Sequence, residues 1–302
     1  MTSQVLKVAV LAGGANSERE VSLTSGKAVM SALETLGHTA QQFDVTPTLA
    51  QQLMAFVPDV VFNALHGRGV EDGTVQGFLE ILGFCYTHSH VKSSAVAMDK
   101  KLTKLALAAT DITFAEDKII TPASLAKGDP FPRPYVLKAI DEGSSVSVVI
   151  VTEAHPKPLS TDIPDYAVLM AEEFIPGQEI SVAVLNGEAL GTIELRPKDG
   201  FYDYRAKYTD GVTEHIVPAD IPPQAQAKAL ADAEVAHRVL GCSGVTRSDF
   251  RYDPDTGRMV FLEINTQPGM TELSLVPEIA AHAGLTFPDL IASLLTQARE
   301  RL

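Results

Sequence analysis

Two neighbouring predicted strands near the end of the chain carry the residues best suited to chemistry. Glu263 and Asn265 lie two positions apart in one strand, and Arg247 and Asp249 lie two positions apart in the strand before it. Because side chains alternate between the two faces of a strand, the members of each pair share a face. The run Asp-Pro-Asp-Thr-Gly at 253–257 is a turn signal that joins the strands into a hairpin.

This hairpin predicts a site for metal-bound nucleotide phosphates. Carboxylate and amide oxygens are the ligands that Mg2+ prefers, and a nearby guanidinium can stabilise a transferring phosphoryl group. The same alternation predicts that Phe261 shares the face of Glu263, with Val260, Leu262 and Ile264 on the other face. The alternative is an edge hairpin with a solvated polar face, which the poor strand propensity of Asp, Asn and Glu disfavours.

Length, charge and cysteine content define the class of protein. A chain of 302 residues is long for one core, so we expect two or three domains. The net charge of −14 argues against nucleic acid as the main partner, because phosphate backbones need basic patches. The two cysteines form no metal-binding pattern and indicate a reducing cytoplasm, and no apolar run is long enough to predict a membrane partner.

The first third of the chain alternates strands and helices. Predicted strands cover 5–11, 39–44 and 59–65, and predicted helices cover 22–36 and 74–82. This rhythm is typical of the α/β class, with a small parallel sheet that binds ligands at the carboxyl ends of its strands. The glycines do not form a G-x-G-x-x-G motif, so a nicotinamide dehydrogenase is disfavoured.

The middle third begins with a predicted helix, Ser93–Ala109, that contains Lys100, Lys101 and Lys104. Taken alone, these lysines are expected to form a solvated helix face.

A phosphate-binding region is predicted further along. Lys138 lies in an apolar strand, where an ammonium group is costly unless an anion pairs with it. The loop 141–146 contains glycine and two serines, a composition suited to a phosphate clamp, although a plain hairpin turn remains the alternative. The strand 168–174 then enters a hinge whose acidic residues Glu172 and Glu179 suit adenine and ribose, or else face water.

The final third begins with a predicted hairpin at 180–194, in which Asn186-Gly187 is a strong two-residue turn signal. The aromatic-rich segment 201–208 has no clean period and is predicted to be a lid. The segment 224–240 is predicted to be a scaffold helix.

Several motifs, in order along nearly the whole chain, resemble those of the D-alanine–D-alanine ligases of the ATP-grasp superfamily. They are Gly13-Gly14 with Glu18-Arg19-Glu20-Val21-Ser22, His66-Gly67-Arg68-Gly69 with Glu71-Asp72-Gly73, Glu142-Gly143-Ser144-Ser145-Val146, Tyr202-Asp203-Tyr204 with Ala206-Lys207-Tyr208, and Glu263 with Asn265, Pro268-Gly269-Met270-Thr271 and Ser274-Leu275-Val276-Pro277.

The resemblance implies an ATP-grasp fold, α/β at the start and α+β in the C-terminal parts. The implied domains are a substrate domain at 1–95, a central ATP-grasp subdomain at 96–178 and a C-terminal ATP-grasp subdomain at 179–302. The implied reaction uses ATP to phosphorylate the carboxylate of one D-alanine, and the amine of a second D-alanine attacks the acyl phosphate. The product serves peptidoglycan precursor synthesis, and the resemblance also implies a homodimer through the first domain.

The resemblance also assigns roles to residues. Contacts with ATP are implied for Lys100, Lys138, Ser144, Ser145, Glu172, Glu179 and Lys207. Two Mg2+ ions, or Mn2+ as a substitute, are implied to bind Asp249, Glu263 and Asn265. Arg247 and the backbone N–H of Gly269 are implied to stabilise the tetrahedral intermediate, as in an oxyanion hole.

The two D-alanine molecules are implied to have separate sites. Glu18 binds the ammonium of the first, with His66 beside it, and Ser274 and Leu275 hold the carboxylate of the second. The implied hydrogen-bonded triad that links the first domain, the clamp and the lid consists of Glu18, Ser144 and Tyr208.

The chain departs from the family pattern at Ser147, Ala139 and Glu173, and the segment 121–134 is short. We expect Glu173 to weaken nucleotide binding, because it adds a carboxylate near ATP.

Two alternatives remain. A ligase making D-alanyl-D-lactate or D-alanyl-D-serine is disfavoured by the lid sequence at 206–208. An inactive ATP-binding regulatory or scaffold protein is disfavoured because Arg247, Asp249, Glu263 and Asn265 occur together.

Overall fold

Three β-sheets organise the described part of the chain. The computed structural model describes residues 4–141, 148–155, 168–198, 212–271 and 274–300. Within them the strand orders are β2-β1-β3, β4-β7-β5-β6 and β10-β9-β8-β11-β12.

The first sheet is parallel and is covered by helices on both faces. Its elements are β1 (Lys7–Leu11), α1 (Arg19–Thr35), β2 (Thr39–Phe43), α2 (Leu49–Phe56), β3 (Val60–Asn63) and α3 (Thr74–Ile81). Val8 and Val10 pack against α1, whereas Ala9 and Leu11 pack towards α2 and α3, as the alternation of side chains requires. The predicted parallel α/β unit is confirmed.

The second sheet is antiparallel and four-stranded. Its elements are β4 (Asp117–Ile120), α6 (Pro122–Leu125), β5 (Tyr135–Ala139), β6 (Val149–Val151) and β7 (Leu169–Glu173). Its core is small and includes Tyr135, Leu137, Val151 and Leu169.

The third sheet is antiparallel and five-stranded. Its elements are β8 (Gln178–Leu185), β9 (Glu188–Pro197), β10 (Thr213–Ile216), α7 (Pro223–Val239), β11 (Val245–Asp253), β12 (Arg258–Asn265), α8 (Leu275–His282) and α9 (Phe287–Glu300). Ile180, Val182 and Phe250 face α7 in one core, together with Ala97 from the helices before β4.

A single apolar core joins the first and third sheets. Phe62 of β3 belongs to the same cluster of buried residues as Leu185 and Ile193 of the third sheet and Leu294 of α9. Burying these side chains contributes about 1.5–3 kcal/mol each, so this core fixes the two sheets against one another. The domain boundaries at 95/96 and 178/179 stay a prediction.

The predicted helix Ser93–Ala109 is wrong as a single element. It is two helices, α4 (Val91–Met98) and α5 (Lys100–Ala106), separated at Asp99. Asp99 has an extended conformation, and its carboxylate accepts a hydrogen bond of 2.8 Å from the backbone N–H of Leu102. A short acidic side chain that caps a helix start competes with continuation of the preceding helix.

The predicted face of Phe261 is also wrong. Asp249 pairs with Glu263, but the next residue of β11, Phe250, pairs with Phe261, so Leu262 is the extra residue of a β-bulge. The bulge reverses the alternation. Phe261 therefore packs in the core with Ile264, while Glu263 keeps the opposite face.

Within the described residues, no single helix is long and apolar enough to cross a membrane. One consecutive pair, Leu275–His282 and Phe287–Glu300, passes that test of length and composition together but is bent by 104°.

Candidate active site

Polar side chains from three adjacent strands share the face of the third sheet that lies opposite α7. Ser181 of β8, Asp249 of β11 and Glu263 of β12 stand in one row across the sheet. Arg247 and Asn265 stand opposite each other in the next row. Directly opposite residues have Cβ atoms about 4.5–5.5 Å apart, so the four residues predicted from the hairpin form one group.

Hydrogen bonds fix the Asp249 carboxylate within this group. Arg247 donates to both of its oxygens, from Nε and from Nη2, at 2.8 Å each. The Ser181 hydroxyl donates to Oδ1 at 2.6 Å. Such a two-pronged contact between a guanidinium and a carboxylate is charge-assisted and directional, so both side chains are held in one orientation.

Glu263 and Asn265 complete the group. Lys100 Nζ lies 3.2 Å from Glu263 Oε2, and Asn265 Oδ1 accepts a hydrogen bond of 2.8 Å from the backbone N–H of Gln267.

The donor set at these positions fits Mg2+. Two carboxylates and one amide offer oxygen ligands only, which is the donor chemistry that Mg2+ prefers. No group of three or more His, Cys, Asp or Glu side chains in the described parts of the chain is arranged to hold a metal. The predicted ligands are instead Asp249, Glu263 and the amide of Asn265.

A buried glutamate of the second sheet, Glu172, lies between two buried lysines, Lys138 of β5 and Lys104 of α5. Lys138 Nζ is 2.5 Å from one oxygen of Glu172, and Lys104 Nζ is 2.7 Å from the other. Glu172 is 3% exposed, and both lysines are buried. Lys138 therefore has the anionic partner that its apolar strand requires. The expected solvated face is wrong for Lys100 and Lys104, because both are buried and ion-paired.

The hinge between β7 and β8 carries two further acidic residues. Glu173 is held by Arg258 at 2.7 Å, and this hydrogen bond keeps the pKa of Glu173 below its ordinary value. The extra carboxylate is therefore neutralised within the chain, which offsets the reason for expecting weaker nucleotide binding. Glu179 lies 3.6 Å from Arg251 Nη1, and Arg251 also donates to the carbonyl of Gly177.

The predicted site for the first D-alanine lies at the carboxyl ends of β1 and β3. Glu18 precedes α1, is 7% exposed, and its backbone N–H donates to Asn16 Oδ1 at 3.0 Å. A Cβ atom on Gly67 would lie 3.0 Å from Glu18 Oε1 and 2.8 Å from Asn16 Nδ2, and Gly67 has a φ of +92°. Only glycine suits this close approach in a left-handed conformation.

His66 connects α1 to the loop after β12. Its Nδ1 lies 3.2 Å from Glu71 Oε1 and 3.1 Å from the carbonyl oxygen of Gln267, and both are acceptors. In the neutral ring, Nδ1 therefore carries the proton. Nε2, 3.0 Å from Ser25 Oγ, then accepts the serine hydroxyl, and Ser25 Oγ in turn accepts the backbone N–H of Met270 at 3.2 Å.

The side chain of Gln267 anchors the same loop. It is 1% exposed, its Oε1 accepts from Asn63 at 2.9 Å and from Gln76 at 3.2 Å, and its Nε2 donates to the carbonyl of Leu65. The segment that follows the predicted metal ligands is thereby bonded to the end of β3.

Gly269 and Ser274 lie against each other at the start of α8. A Cβ atom on Gly269 would be 2.7 Å from Ser274 Oγ. The hydroxyl of Ser274 accepts the backbone N–H of Thr271 at 3.0 Å, and Leu275 begins α8 as a buried residue. Gly269, which is predicted to stabilise the tetrahedral intermediate, therefore lies beside Ser274 and Leu275, which are predicted to bind the second D-alanine.

Some predicted residues lie outside the described parts of the chain. They are Ser144, Ser145, Ser147, Lys207 and Tyr208, together with the predicted lid at 201–208.

Comparison with known proteins identifies the family. Residues 122–296, more than half of the chain, match the family described as "D-ala D-ala ligase C-terminus". A D-alanine–D-alanine ligase of Rhizorhabdus wittichii is 52% identical over 301 residues, which cover 97% of this chain and 96% of that protein. This chain belongs to the D-alanine–D-alanine ligase family. The predicted family and ligase activity are thereby confirmed.

Solved structures of the family agree with the fold. A D-alanine–D-alanine ligase from Bacillus anthracis, complexed with ATP, has a TM-score of 0.81 at 26% identity and covers 98% of both chains. The VanG D-Ala:D-Ser ligase of Enterococcus faecalis has a TM-score of 0.80 at 26% identity, covering 98% of this chain and all of that one. The predicted ATP-grasp fold is confirmed, and the overall fold alone does not distinguish the acceptor substrates.

Three residues of this region were not predicted to belong to it: Ser25, Lys104 and Gln267. A signal existed for two of them. Lys104 lies one helical turn after Lys100 and shares its face, and Ser25 lies seven residues after Glu18, on the same side of α1. Gln267 had no such signal, because its partner Asn63 is 204 residues away.

Proposed function

We propose that this chain catalyses the ATP-dependent ligation of two D-alanine molecules through an acyl phosphate, giving ADP and phosphate. The contacts of Lys100 support the position that we propose for ATP. The backbone N–H of Lys100 donates to the carbonyl of Ile140 after β5, and its ammonium contacts Glu263 on β12. Lys100 thus connects the second sheet to the third, and we place the phosphates of ATP between these sheets.

In the first step, a carboxylate oxygen of the donor D-alanine attacks the γ-phosphorus and the bond to ADP breaks. Glu18 pairs with the donor's ammonium, which orients its carboxylate towards the third sheet. Lys100 and Lys138 neutralise charge on the phosphates, and Glu172 and Glu179 bind the adenosine. Asp249, Glu263 and Asn265 would hold Mg2+, which would supply positive charge against the phosphates.

In the second step, the amine of the acceptor D-alanine attacks the carbonyl carbon and phosphate leaves. Negative charge develops on the carbonyl oxygen, and Arg247 with the backbone N–H of Gly269 is placed to stabilise it. The hydroxyl of Ser274 and the start of α8 at Leu275 hold the acceptor's carboxylate. His66 is held by Ser25 and Gln267 and lies beside the site proposed for the first D-alanine. A carboxylate is a poor acyl donor until phosphorylated, so no covalent protein nucleophile is needed.

We also propose that the active protein is a cytoplasmic homodimer that associates through the first domain. Four large apolar side chains there, Val5, Met54, Val57 and Ile81, are more than 60% exposed. These side chains are available to an interface with a second copy of the chain. Light scattering at micromolar concentration should give twice the monomer mass of 32.3 kDa; a single monomeric species would contradict this proposal.

Phosphate release from ATP tests the activity. We expect release with D-alanine alone, no stimulation by L-alanine, and D-alanyl-D-alanine as the only product when D-lactate or D-serine is added in equal amount. Formation of a mixed product in preference to D-alanyl-D-alanine would favour the alternative ligases. No D-alanine-dependent release would contradict the proposal.

A further inference from the structure

Two carboxylates of the second sheet stand opposite each other on neighbouring strands. Asp117 of β4 is directly opposite Glu172 of β7. Like charges at opposite positions of a ladder repel and destabilise the sheet. Lys104 lies between them, with its Nζ 3.2 Å from Asp117 Oδ1 and 2.7 Å from Glu172 Oε1.

Every hydrogen-bond donor of Lys104 is accounted for. An ammonium group has three N–H donors, and Lys104 Nζ reaches the carbonyl oxygen of Ala115 at 2.9 Å as well as Asp117 and Glu172. With three acceptors in place, Lys104 has no donor to offer a nucleotide. Its effect on a ligand must act through the groups that it holds.

The position of Glu172 determines the position of Lys138. Lys138 Nζ contacts Oε2 of Glu172 at 2.5 Å, on the opposite side of the carboxylate from Lys104. This contact uses one of the three donors of Lys138. Without Lys104, no cation would lie between the carboxylates of Glu172 and Asp117: Asp117 would keep Lys101, and Glu172 would keep Lys138.

We propose that Lys104 is a positioning residue of the nucleotide site, which fixes Glu172 so that Lys138 presents its ammonium to the phosphates of ATP. The inference rests on the proposed function, in which Glu172 and Lys138 contact ATP. It goes further by assigning a role to a lysine that does not itself touch the nucleotide.

Lys104→Met tests the inference, since methionine keeps the length of the side chain and removes its charge. We expect the Michaelis constant for ATP and the dissociation constant for ADP to rise about tenfold to a hundredfold, the loss typical of a hydrogen bond to a charged group. The Michaelis constants for D-alanine should stay within about twofold, and Lys104→Arg should recover part of the ADP affinity.

Lys101→Met is the matched control. Lys101 belongs to the same helix and contacts Asp117 at 2.7 Å, but its side chain is 37% exposed. We expect its ADP affinity to stay within about threefold of the parent. Equal losses in Lys101→Met and Lys104→Met would overturn the inference, because they would assign the effect to Asp117 alone.

A double-mutant cycle covers the case in which Lys104→Met acts through general damage. If Lys104 works through Glu172, adding Lys104→Met to Glu172→Gln should weaken ADP binding by less than about twofold further. Additive losses would overturn the inference, as would unchanged ADP affinity in a Lys104→Met protein that is merely less stable to heat. ADP titration of the parent requires no turnover, so failure here is distinguishable from absence of D-alanine-dependent phosphate release.

Discussion

The carbonyl oxygen of Gln267 lies 3.1 Å from Nδ1 of His66, so the loop after β12 is bonded to the carboxyl end of the first sheet. The backbone N–H of Gln267 donates to Asn265, a predicted metal ligand, and Gly269 follows two residues later. Gln267 therefore links the predicted site of the first D-alanine to the predicted metal ligand Asn265 and to Gly269 of the predicted oxyanion hole.

Gln267→Leu should weaken this link without removing the backbone bonds. The substitution leaves the buried amides of Asn63 and Gln76 without their acceptor, which costs about 1–3 kcal/mol of stability. We expect kcat/KM for D-alanine to fall at least tenfold while ADP affinity stays within twofold. Gln224→Leu, on the exposed start of α7, is the control. Loss of ADP affinity equal to the loss in kcat/KM would show that the loop does not act on the D-alanine side.

Glu263→Gln tests the metal assignment. The change removes one charge at nearly constant shape, so the fold should persist while most turnover is lost and Mg2+ dependence shifts to higher concentration. Urea unfolding measures whether the fold persists, and titration of the rate with Mg2+ measures the loss of turnover and the shift in Mg2+ dependence. The exposed Glu188, at the start of β9, provides the control Glu188→Gln. Turnover within about twofold of the parent would remove Glu263 from the metal site.

Glu18→Gln and Ser274→Ala should separate the two substrate sites. Losing one hydrogen bond to a charged group costs about 1.5–3 kcal/mol, or roughly ten- to a hundredfold in affinity. We expect Glu18→Gln to affect mainly the donor D-alanine, and Ser274→Ala to raise mainly the Michaelis constant of the acceptor. Initial rates over a wide range of D-alanine concentration resolve the two terms.

Thr286→Ala provides the control for Ser274→Ala, because Thr286 also has a hydroxyl at the start of a helix and bonds Asp289 there. If Glu18→Gln leaves both D-alanine affinities unchanged, Glu18 is only an acidic residue near the helix dipole, an interaction worth under about 1 kcal/mol.

His237 should make stability depend on pH. Burial lowers the pKa of His237 to about 4, and its Nδ1 lies 2.9 Å from the hydroxyl of Thr246. The unfolded chain takes up a proton below about pH 6.5 and the folded chain does not, so stability is lost as pH falls through this window. Between pH 7 and pH 5 the loss should be about 2 kcal/mol. Urea unfolding of His237→Gln should lack this component; an identical pH dependence in both proteins would contradict it.

The sequence predicts most of the elements that position the site, because their signals are local. The β11–β12 hairpin follows from strand alternation and a turn motif, and the parallel first sheet follows from the βαβ rhythm. Asp99 and Leu262 show the limit. The helix pattern continues through Asp99 although its carboxylate caps α5, and the bulge at Leu262 depends on pairing with β11 rather than on the residues of β12.

Long-range contacts are the part of the site that the sequence does not predict. The sequence alone indicates that Lys104 is a surface lysine. Its partners Asp117 and Glu172 come together only because β4 pairs with β7. Gln267 looks like an ordinary loop residue until β3 and α3 surround it. The contribution of both residues to stability depends on the burial of their polar groups, and that burial exists only when the sheets are assembled.

We expect the donor's carboxylate to be phosphorylated before the peptide bond forms. D-alanine labelled with 18O in both carboxylate oxygens tests this order of steps. The attacking oxygen stays on phosphorus when the acceptor's amine expels phosphate, so each phosphate released should carry one 18O atom, detectable by mass spectrometry. Phosphate that takes its fourth oxygen from unlabelled water would contradict the account.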